Sequence, residues 1–220
     1  MLDLLLPRRC VVCARGGATV CSACVAGFER IEPPLCERCG APTSWPVRRC
    51  AECAGRRLAF AHARAAVAYD DRARAFVAGW KEGGLRTLAR VAAEIVVAAL
   101  ARPDADALAF VPSDAERGYK RGHHPAERLA RELADAWELP AAALLRRAKS
   151  VPRQRGLHLA ERRRNVRGAF EPAGPAPRRI CLVDDIYTSG ATANAAASAL
   201  RKGGARTVEI VTFARAIRVR

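Results

Sequence analysis

The sequence predicts an α/β fold, a parallel sheet with flanking helices that is preceded by a small N-terminal metal-binding region. Short apolar runs alternate with helical patterns along residues 63–213, and strands that alternate with helices form parallel sheets. Eight of the nine cysteines occur as Cys-x-x-Cys pairs before residue 54. We therefore predict two domains, a cysteine-rich region over residues 1–55 and the sheet domain over residues 56–220.

The length and charge of the chain indicate what kind of protein it is and what kind of partner it binds. The chain has 220 residues, half of them apolar, and a formal net charge of +16. An excess of positive charge remains when eight thiolates and two Zn²⁺ are counted, which favours nucleic acid or phosphorylated small molecules as partners, with a solvated basic surface as the alternative. No apolar run reaches membrane-spanning length, and the first seven residues are too short for a signal peptide. We expect a cytoplasmic protein without membrane insertion.

The cysteine pairs predict two structural zinc sites. A cytosolic chain keeps its thiols reduced, so repeated Cys-x-x-Cys pairs indicate metal rather than disulfides or a redox centre. Two pairs complete a tetrahedral Cys₄ site, which leaves no open coordination position. Pro33-Pro34 separates two halves of the region and favours sequential pairing, while interleaved pairing stays open. The predicted ligands are Cys10, Cys13, Cys21 and Cys24 for one ion, and Cys36, Cys39, Cys50 and Cys53 for the other.

The sheet domain is predicted element by element from periodicity and breakers. Residues 54–62 are expected to be a linker. The predicted strands cover 63–69, 106–112, 180–183 and 207–213, and the predicted helices cover 72–100 with a break at Gly83-Gly84, 126–137, and the stretch after residue 192.

Basic residues concentrate in two segments outside these elements. A turn over 117–125 follows the second strand and would bring Arg117, Lys120 and Arg121 to the sheet edge that carries Asp184. The segment 146–167 suits a flap over pyrophosphate or a track for single-stranded nucleic acid, with a solvated loop as the alternative. The adjacent His123 and His124 in the turn offer too few ligands for a metal site.

The chemistry concentrates in residues 179–192, Arg-Ile-Cys-Leu-Val-Asp-Asp-Ile-Tyr-Thr-Ser-Gly-Ala-Thr. Asp184 and Asp185 directly follow a buried strand, and a turn of small and hydroxyl residues leads into a helix. Such a turn aims backbone N–H groups at one point, which suits a phosphate, and Gly190 allows close approach. Carboxylates suit sugar hydroxyls or hydrated Mg²⁺. An ordinary helix cap is the alternative.

This stretch resembles the phosphoribosyl pyrophosphate (PRPP) signature of type I phosphoribosyltransferases. The resemblance implies a type I phosphoribosyltransferase-like sheet, PRPP bound with Mg²⁺, and Asp184 and Asp185 on the ribose hydroxyls as the candidate catalytic residues. It also implies a 5′-phosphate wrapped by the turn, whose residues are Thr188, Ser189, Gly190, Ala191 and Thr192.

The whole chain resembles the ComF family (ComF/GntX-type), which joins a double zinc ribbon to a phosphoribosyltransferase-like domain. The family pattern favours Lys81 as a phosphate contact over a solvated helix-end charge, and it adds Arg121. Family members usually follow Arg-Gly with an aromatic residue and Asn-Gln, where this chain has His123, His124 and Pro125. The resemblance rests on the cysteine pairs, Tyr69 with Trp80-Lys81, Val111-Pro112 with Lys120-Arg121-Gly122, Gln154 with residues 161–170, and residues 184–192.

This resemblance implies a role in natural competence, the uptake of transforming DNA into the cytoplasm. The expected ligands are PRPP or a related phosphorylated ribose and incoming single-stranded DNA. Phosphoribosyl transfer, a glycosyltransferase reaction, would need an acceptor that the sequence does not name. The alternative is a non-catalytic DNA-binding protein, or an adaptor for a helicase-like competence partner, that uses the zinc ribbons and retains a vestigial PRPP pocket.

Overall fold

The computed structural model describes residues 8–113, 124–148 and 168–217. These segments contain five helices and seven strands. In chain order they are α1 (Ser22–Ala26), β1 (Ala63–Ala68), α2 (Asp71–Lys81), α3 (Leu88–Ala99), β2 (Ala107–Phe110), α4 (Pro125–Trp137), β3 (Ala141–Ala142), β4 (Leu145–Arg147), β5 (Phe170–Pro172), β6 (Arg179–Tyr187), α5 (Ala191–Lys202) and β7 (Thr207–Arg215).

The main sheet has five strands in the order β1-β7-β6-β2-β3, and every neighbouring pair is parallel. The short strands β4 and β5 form a separate antiparallel pair. The longest strands, β6 and β7, lie next to each other in the middle of the sheet, as apolar strands buried on both faces do. The predicted α/β class, a parallel sheet with flanking helices, is confirmed.

Helices cover both faces of this sheet because successive strand residues point to opposite sides. Cys181 and Val183 of β6 pack in one apolar cluster with α2, α3 and α4. Ile180 and Leu182 pack in a second cluster with α5. The face of α5 that meets the sheet is built largely from alanine, so this helix lies close to the strands.

The cysteine-rich region is packed into the same two clusters. Phe28, from the first half of the region, lies against Phe76 of α2 and Phe213 of β7, with ring centroids 5.6 and 5.7 Å away. Cys36, Cys39 and Cys53, from the second half, lie in the cluster that α5 covers. The two halves therefore pack on opposite faces of the sheet.

The chain between these halves runs along the outer edge of β1. The Ile31 N–H donates to the Ala66 carbonyl at 3.2 Å, and the Ala68 N–H donates to the Glu29 carbonyl at 2.8 Å. An uncovered edge strand is a site of unwanted pairing between chains. This short antiparallel contact satisfies part of that edge and ties the cysteine-rich region to the sheet.

One expectation needs correction. The signature strand continues past Val183 to Tyr187, so the two acids lie within the carboxyl-terminal part of β6 rather than after it. Residues 54–62, the expected linker, contain no helix or strand, and Leu58 and Phe60 of this segment are buried in the second cluster. The domain boundary at residue 55 stays a prediction.

Several predicted features lie outside the described residues. They are Arg117, Lys120, Arg121 and His123 of the basic turn, and residues 149–167 of the second basic segment. In the part of the chain that is described, no helix is both long and apolar enough to cross a membrane.

Candidate functional site

The eight cysteines form two groups with the geometry of metal sites. In each group all four sulfur atoms lie within 4.8 Å of one another, and the groups are Cys10, Cys13, Cys21 and Cys24, and Cys36, Cys39, Cys50 and Cys53. Sulfur–sulfur distances of 3.5 to 3.7 Å match the ~3.8 Å that tetrahedral Zn–S bonds of ~2.3 Å require. The sequential pairing is confirmed, and the donor sets fit structural Zn²⁺.

Backbone N–H groups favour the thiolate form of one cysteine in each group, Cys10 in the first and Cys36 in the second. Burial alone would raise these thiol pKa values, but backbone N–H groups lower the pKa of Cys10 to about 6 and that of Cys36 to about 7. The N–H of Cys21 points at the Cys10 sulfur, and the N–H of Cys50 lies 3.2 Å from the Cys36 sulfur. Such N–H···S contacts favour the deprotonated form that binds metal.

The two signature acids lie near the carboxyl end of β6, where ligands of open α/β sheets bind. Asp185 is 8% exposed and forms an ion pair with Lys81, at the last residue of α2. Asp184 lines a small cavity with Thr192 and Thr212. Burial, and then the charge of Asp185, raise the pKa of Asp184 to about 8. Among the described residues, the site thus brings two adjacent carboxylates together with the Lys81 ammonium group.

The turn after the acids has the form of an anion site. Gly190 has a left-handed backbone with φ of 69° and is the N-cap of α5. Gly190 has no side chain that could cap this helix, and the Ala191 N–H donates to the Ser189 hydroxyl at 3.4 Å. Because the first N–H groups of a helix lack intrahelical partners, the start of α5 retains donors for a ligand. This geometry argues against the cap-only interpretation of the sequence.

Gly190 is also fixed by its neighbour. A Cβ atom at Gly190 would lie 2.2 Å from the Tyr187 hydroxyl, so only glycine fits against that ring. Asp184, Thr188, Gly190 and Thr192 line a small cavity beside the turn, which measures about 10 Å³. Thr188 is exposed and Thr192 is half-buried, so both residues are accessible to a ligand.

The structure brings together most of the predicted site residues, namely Lys81, Asp184, Asp185 and residues 188–192. Arg121 lies outside the described residues. His124 belongs to the basic turn, where this chain departs from the family pattern, and it is the N-cap of α4. Its Nδ1 atom contacts the Ser113 hydroxyl. Within the described residues, His124 belongs to neither group with metal-site geometry.

The double zinc ribbon domain family matches residues 1–54. Competence protein F of Haemophilus influenzae is 27% identical over 227 residues, covering 94% of this chain and 97% of that protein. The DNA utilization protein YhgH of Salmonella typhi is 26% identical, with 97% and 100% covered. Competence protein ComFC of Streptococcus pneumoniae is 27% identical, with 89% and 87% covered.

These matches support the resemblance of this chain to the ComF family. The relatives match it over nearly its full length, through both the cysteine pairs and the sheet domain. Among solved structures, a glutamine PRPP amidotransferase from B. subtilis, complexed with ADP and GMP, aligns with a TM-score of 0.39 at 23% identity over 56% of this chain and 26% of that one.

Three side chains that were not predicted also surround the turn. Arg56 donates to the Ser189 carbonyl at 2.9 Å, and the Asn194 side chain accepts from the Ala59 N–H at 2.7 Å. Arg215 lies over the Tyr187 ring, 4.6 Å from its centroid. The sequence carries only a weak signal for Arg215, since Glu209 already places a charge within the same strand pattern and arginines are common along this basic chain.

Proposed function

We propose that this chain serves natural competence or DNA utilization by binding PRPP, or a related phosphorylated ribose, with Mg²⁺ and by handling incoming single-stranded DNA. The full-length likeness to Competence protein F and to YhgH supports the biological role. The observation that supports PRPP as the ligand is that Asp184, Asp185 and Lys81 lie close together beside the left-handed turn at Gly190.

Each part of this site suits one part of PRPP. The start of α5 would take the 5′-phosphate through backbone N–H groups and the Thr188 and Thr192 hydroxyls. Carboxylate oxygens would accept hydrogen bonds from the ribose hydroxyls. Lys81 would face the pyrophosphate, whose negative charge increases as the bond to C1 breaks.

The carboxylate pair also fits the expected cation. Burial, and then repulsion from Asp185, raise the pKa of Asp184, so a cation between the two acids would be favoured. Hard oxygen ligands are those that Mg²⁺ prefers. Asp184 and Asp185 would hold the hydrated ion together with PRPP oxygens. Mg²⁺ would supply charge neutralisation for the diphosphate.

Phosphoribosyl transfer is the reaction that such a site can support. It breaks the bond between C1 and the pyrophosphate oxygen, and an acceptor then forms a bond to C1. Asp184 and Asp185 would stabilise the positive charge that develops on the ribose, while Lys81 stabilises the leaving pyrophosphate. Release of pyrophosphate from PRPP, with nucleobases and oligonucleotides as acceptors, tests this step.

Calorimetric titration of the zinc-loaded protein with PRPP and Mg²⁺ tests the pocket. We expect the wild type to bind, and Asp184→Asn/Asp185→Asn to lose at least about tenfold in affinity, which corresponds to ~1.4 kcal/mol. Asp71→Asn/Asp135→Asn removes the same charge from two exposed positions and should bind as the wild type does. Equal binding by all three proteins would reject the proposed pocket.

A separate observation supports contact with single-stranded DNA. A cleft of about 660 Å³ lies between the second cysteine group and the amino end of β1, lined by Glu37, Arg38, Arg48, Arg49, Ala61, His62 and Arg64. The pKa of Arg38 is lowered first by burial and then by the positive charge of Arg49. The pKa of His62 is lowered first by burial and then by the positive charge of Arg64. A cluster of cations that repel one another favours an anionic ligand.

Titration of a fluorescent oligonucleotide at several salt concentrations tests this cleft. Each lost phosphate contact should reduce the slope of log affinity against log salt by ~0.7 for a single strand, so Arg48→Ala/Arg49→Ala should reduce it by ~1.4. Arg90→Ala/Arg131→Ala is the matched control, because both arginines are exposed and pair with glutamates of their own helices. Equal slopes in the two variants would exclude the cleft.

A further inference from the structure

Arg215 connects the second cysteine group to the floor of the phosphate turn. Its side chain is buried, with 1% of the residue exposed. One guanidinium nitrogen donates to the Cys39 carbonyl at 2.6 Å, and the other lies 2.7 Å from a Glu52 carboxylate oxygen and 3.8 Å from the Cys39 sulfur. These partners belong to the two Cys-x-x-Cys pairs of one zinc site.

The opposite contact of the same guanidinium is the signature strand. Arg215 and Tyr187 are register partners on β7 and β6, and the guanidinium carbon is 4.6 Å from the Tyr187 ring centroid. The Tyr187 hydroxyl lies directly under Gly190. Three residues therefore form a continuous packed path from Cys39 to the N-cap of α5.

Two further contacts run from the second cysteine group to the turn. The Arg56 N–H donates to the Cys53 carbonyl at 3.2 Å, which fixes Arg56 to the last knuckle. The Arg56 side chain reaches the Ser189 carbonyl within the turn. The Ala59 N–H contacts Asn194, in the first turn of α5.

Charge explains why a buried arginine is suited to this position. Four thiolates around Zn²⁺ carry a net charge of −2, and Glu52 adds another negative charge beside them. A buried charge is tolerated only when it is paired and hydrogen-bonded. Arg215 supplies that pairing, so its position depends on the loaded zinc site as well as on the sheet.

We propose that the second zinc site, acting through Arg215 and Arg56, holds the phosphate turn in its ligand-binding form. Both arginines are positioning residues, and zinc occupancy regulates the affinity of the turn for a phosphorylated ligand. The proposal rests on the proposed PRPP site and concerns its regulation. The first zinc site packs on the other face of the sheet and takes no part.

Coupling between two sites is reciprocal, so PRPP must stabilise zinc at the second site if that zinc stabilises the turn. We would expose the zinc-loaded protein to a zinc-selective chelator and N-ethylmaleimide, then measure cysteine alkylation by peptide mass spectrometry. PRPP with Mg²⁺ should slow alkylation of the second group about fivefold or more and leave the first group unchanged. The proposal would be overturned if PRPP slowed alkylation of both groups equally, or if it slowed neither although calorimetry showed that it binds. Either result would leave the PRPP pocket standing.

Arg56→Ala and its neighbour Arg57→Ala give a test that needs no ligand. Arg57 is exposed, whereas Arg56 contacts the turn. Hydrogen exchange of the amides of residues 188–194 should accelerate about fivefold in Arg56→Ala, return towards wild type in Arg56→Lys, and stay unchanged in Arg57→Ala. If calorimetry shows no PRPP binding, the proposed function fails, and this exchange experiment still decides whether the zinc region positions the turn. Equal exchange in Arg56→Ala and Arg57→Ala would refute it.

Discussion

Gly190 carries two separate requirements, a left-handed backbone and the absence of a side chain. Its φ is 69°, and an added Cβ would meet the Tyr187 hydroxyl at 2.2 Å. We predict that Gly190→Ala lowers the free energy of unfolding by about 2–4 kcal/mol, since backbone strain and a buried clash add. Urea denaturation of the zinc-loaded protein measures the change.

Gly84 provides the matched control for that substitution. It has a φ of 66° and open space where a Cβ would be built. Gly84→Ala should therefore cost only the backbone strain, about 1 kcal/mol. Equal losses in the two variants would mean that contact with Tyr187 contributes nothing at Gly190.

Asp184 makes ligand binding depend on pH. Its pKa is raised to about 8, first by burial and then by the charge of Asp185, so the free protein holds it largely protonated at pH 7. The ionised form accepts hydrogen bonds and binds Mg²⁺. We predict that affinity for PRPP with Mg²⁺ rises from pH 6 to pH 8 and then levels off, as calorimetry at each pH would show. Asp184→Asn should bind weakly with a flatter profile.

The same carboxyl affects stability with a defined sign. An ordinary aspartate has a pKa of 3.8, so between about pH 4 and pH 8 the folded state holds a proton that the unfolded state has released. Stability then falls as pH rises through this window. Asp184→Asn should remove the fall and exceed the wild type in unfolding free energy by about 1 kcal/mol or more at pH 8. A lower stability of the variant at pH 8 would contradict this.

At the scale of elements, helix α2 places Lys81 beside the acids, because Lys81 is its last residue and forms an ion pair with Asp185. Its first turn is capped by the Asp70 carboxylate, which accepts from the Ala73 N–H at 2.7 Å. Asp70→Ala should cost about 1 kcal/mol, as thermal unfolding would show. Asp71→Ala removes the same charge from a neighbour whose side chain is 95% exposed, and it should cost less. A larger loss in Asp71→Ala would argue that charge at the helix start matters more than the cap.

Sequence periodicity predicted most elements because each depends on nearby residues. The strand at 63–69, the helix at 126–137 and the strand at 207–213 were found within a few residues of their observed bounds. The Pro33-Pro34 separation favoured sequential pairing of the cysteines but left interleaved pairing open, and the structure shows the sequential groups. The end of β6 was missed because the pattern of polar residues after Val183 resembles a loop, and only pairing with β7 through Tyr187 shows the strand.

The contacts around the turn were beyond such prediction. Arg215 meets Cys39 across 176 residues of sequence, and Arg56 meets Ser189 across 133. No local pattern records a contact of that range, and an arginine in a basic chain is by itself uninformative. The acids and the glycine of the candidate site were predictable, whereas the residues that fix their geometry required the tertiary structure.

At the scale of the whole molecule, zinc and sheet should unfold together. Phe28, from the first half of the cysteine-rich region, and Cys36, Cys39 and Cys53, from the second half, share apolar clusters with the strands and helices. We predict one cooperative calorimetric transition for the zinc-loaded protein, and a fall of about 10 °C or more in its midpoint after zinc removal, because metal binding contributes to folding. Two separate transitions would show that the cysteine-rich region folds independently.

Deletion of residues 1–53 bears on the adaptor hypothesis. The deletion would uncover the edge of β1 and expose Phe76 and Phe213 where Phe28 packs. We therefore expect an aggregation-prone fragment that loses PRPP binding along with any partner, as light scattering and calorimetry would reveal. A monomeric fragment that keeps PRPP binding would instead support a separable adaptor region.

The strand order has a consequence for the chain as it is made. Within the sheet, β1 has β7 as its neighbouring strand, and β7 lies between β1 and β6. During synthesis from the amino end, β1 emerges well over a hundred residues before its neighbour, which at ~5–20 residues per second is a wait of roughly 10–30 s. For most of that interval the thiols meet cellular zinc, and the basic amino-terminal part is exposed, before residues 188–192 of the phosphate turn have been made. Metal capture on the ribosome would then precede closure of the sheet, so zinc supply during translation would set the yield of protein able to bind its ligand.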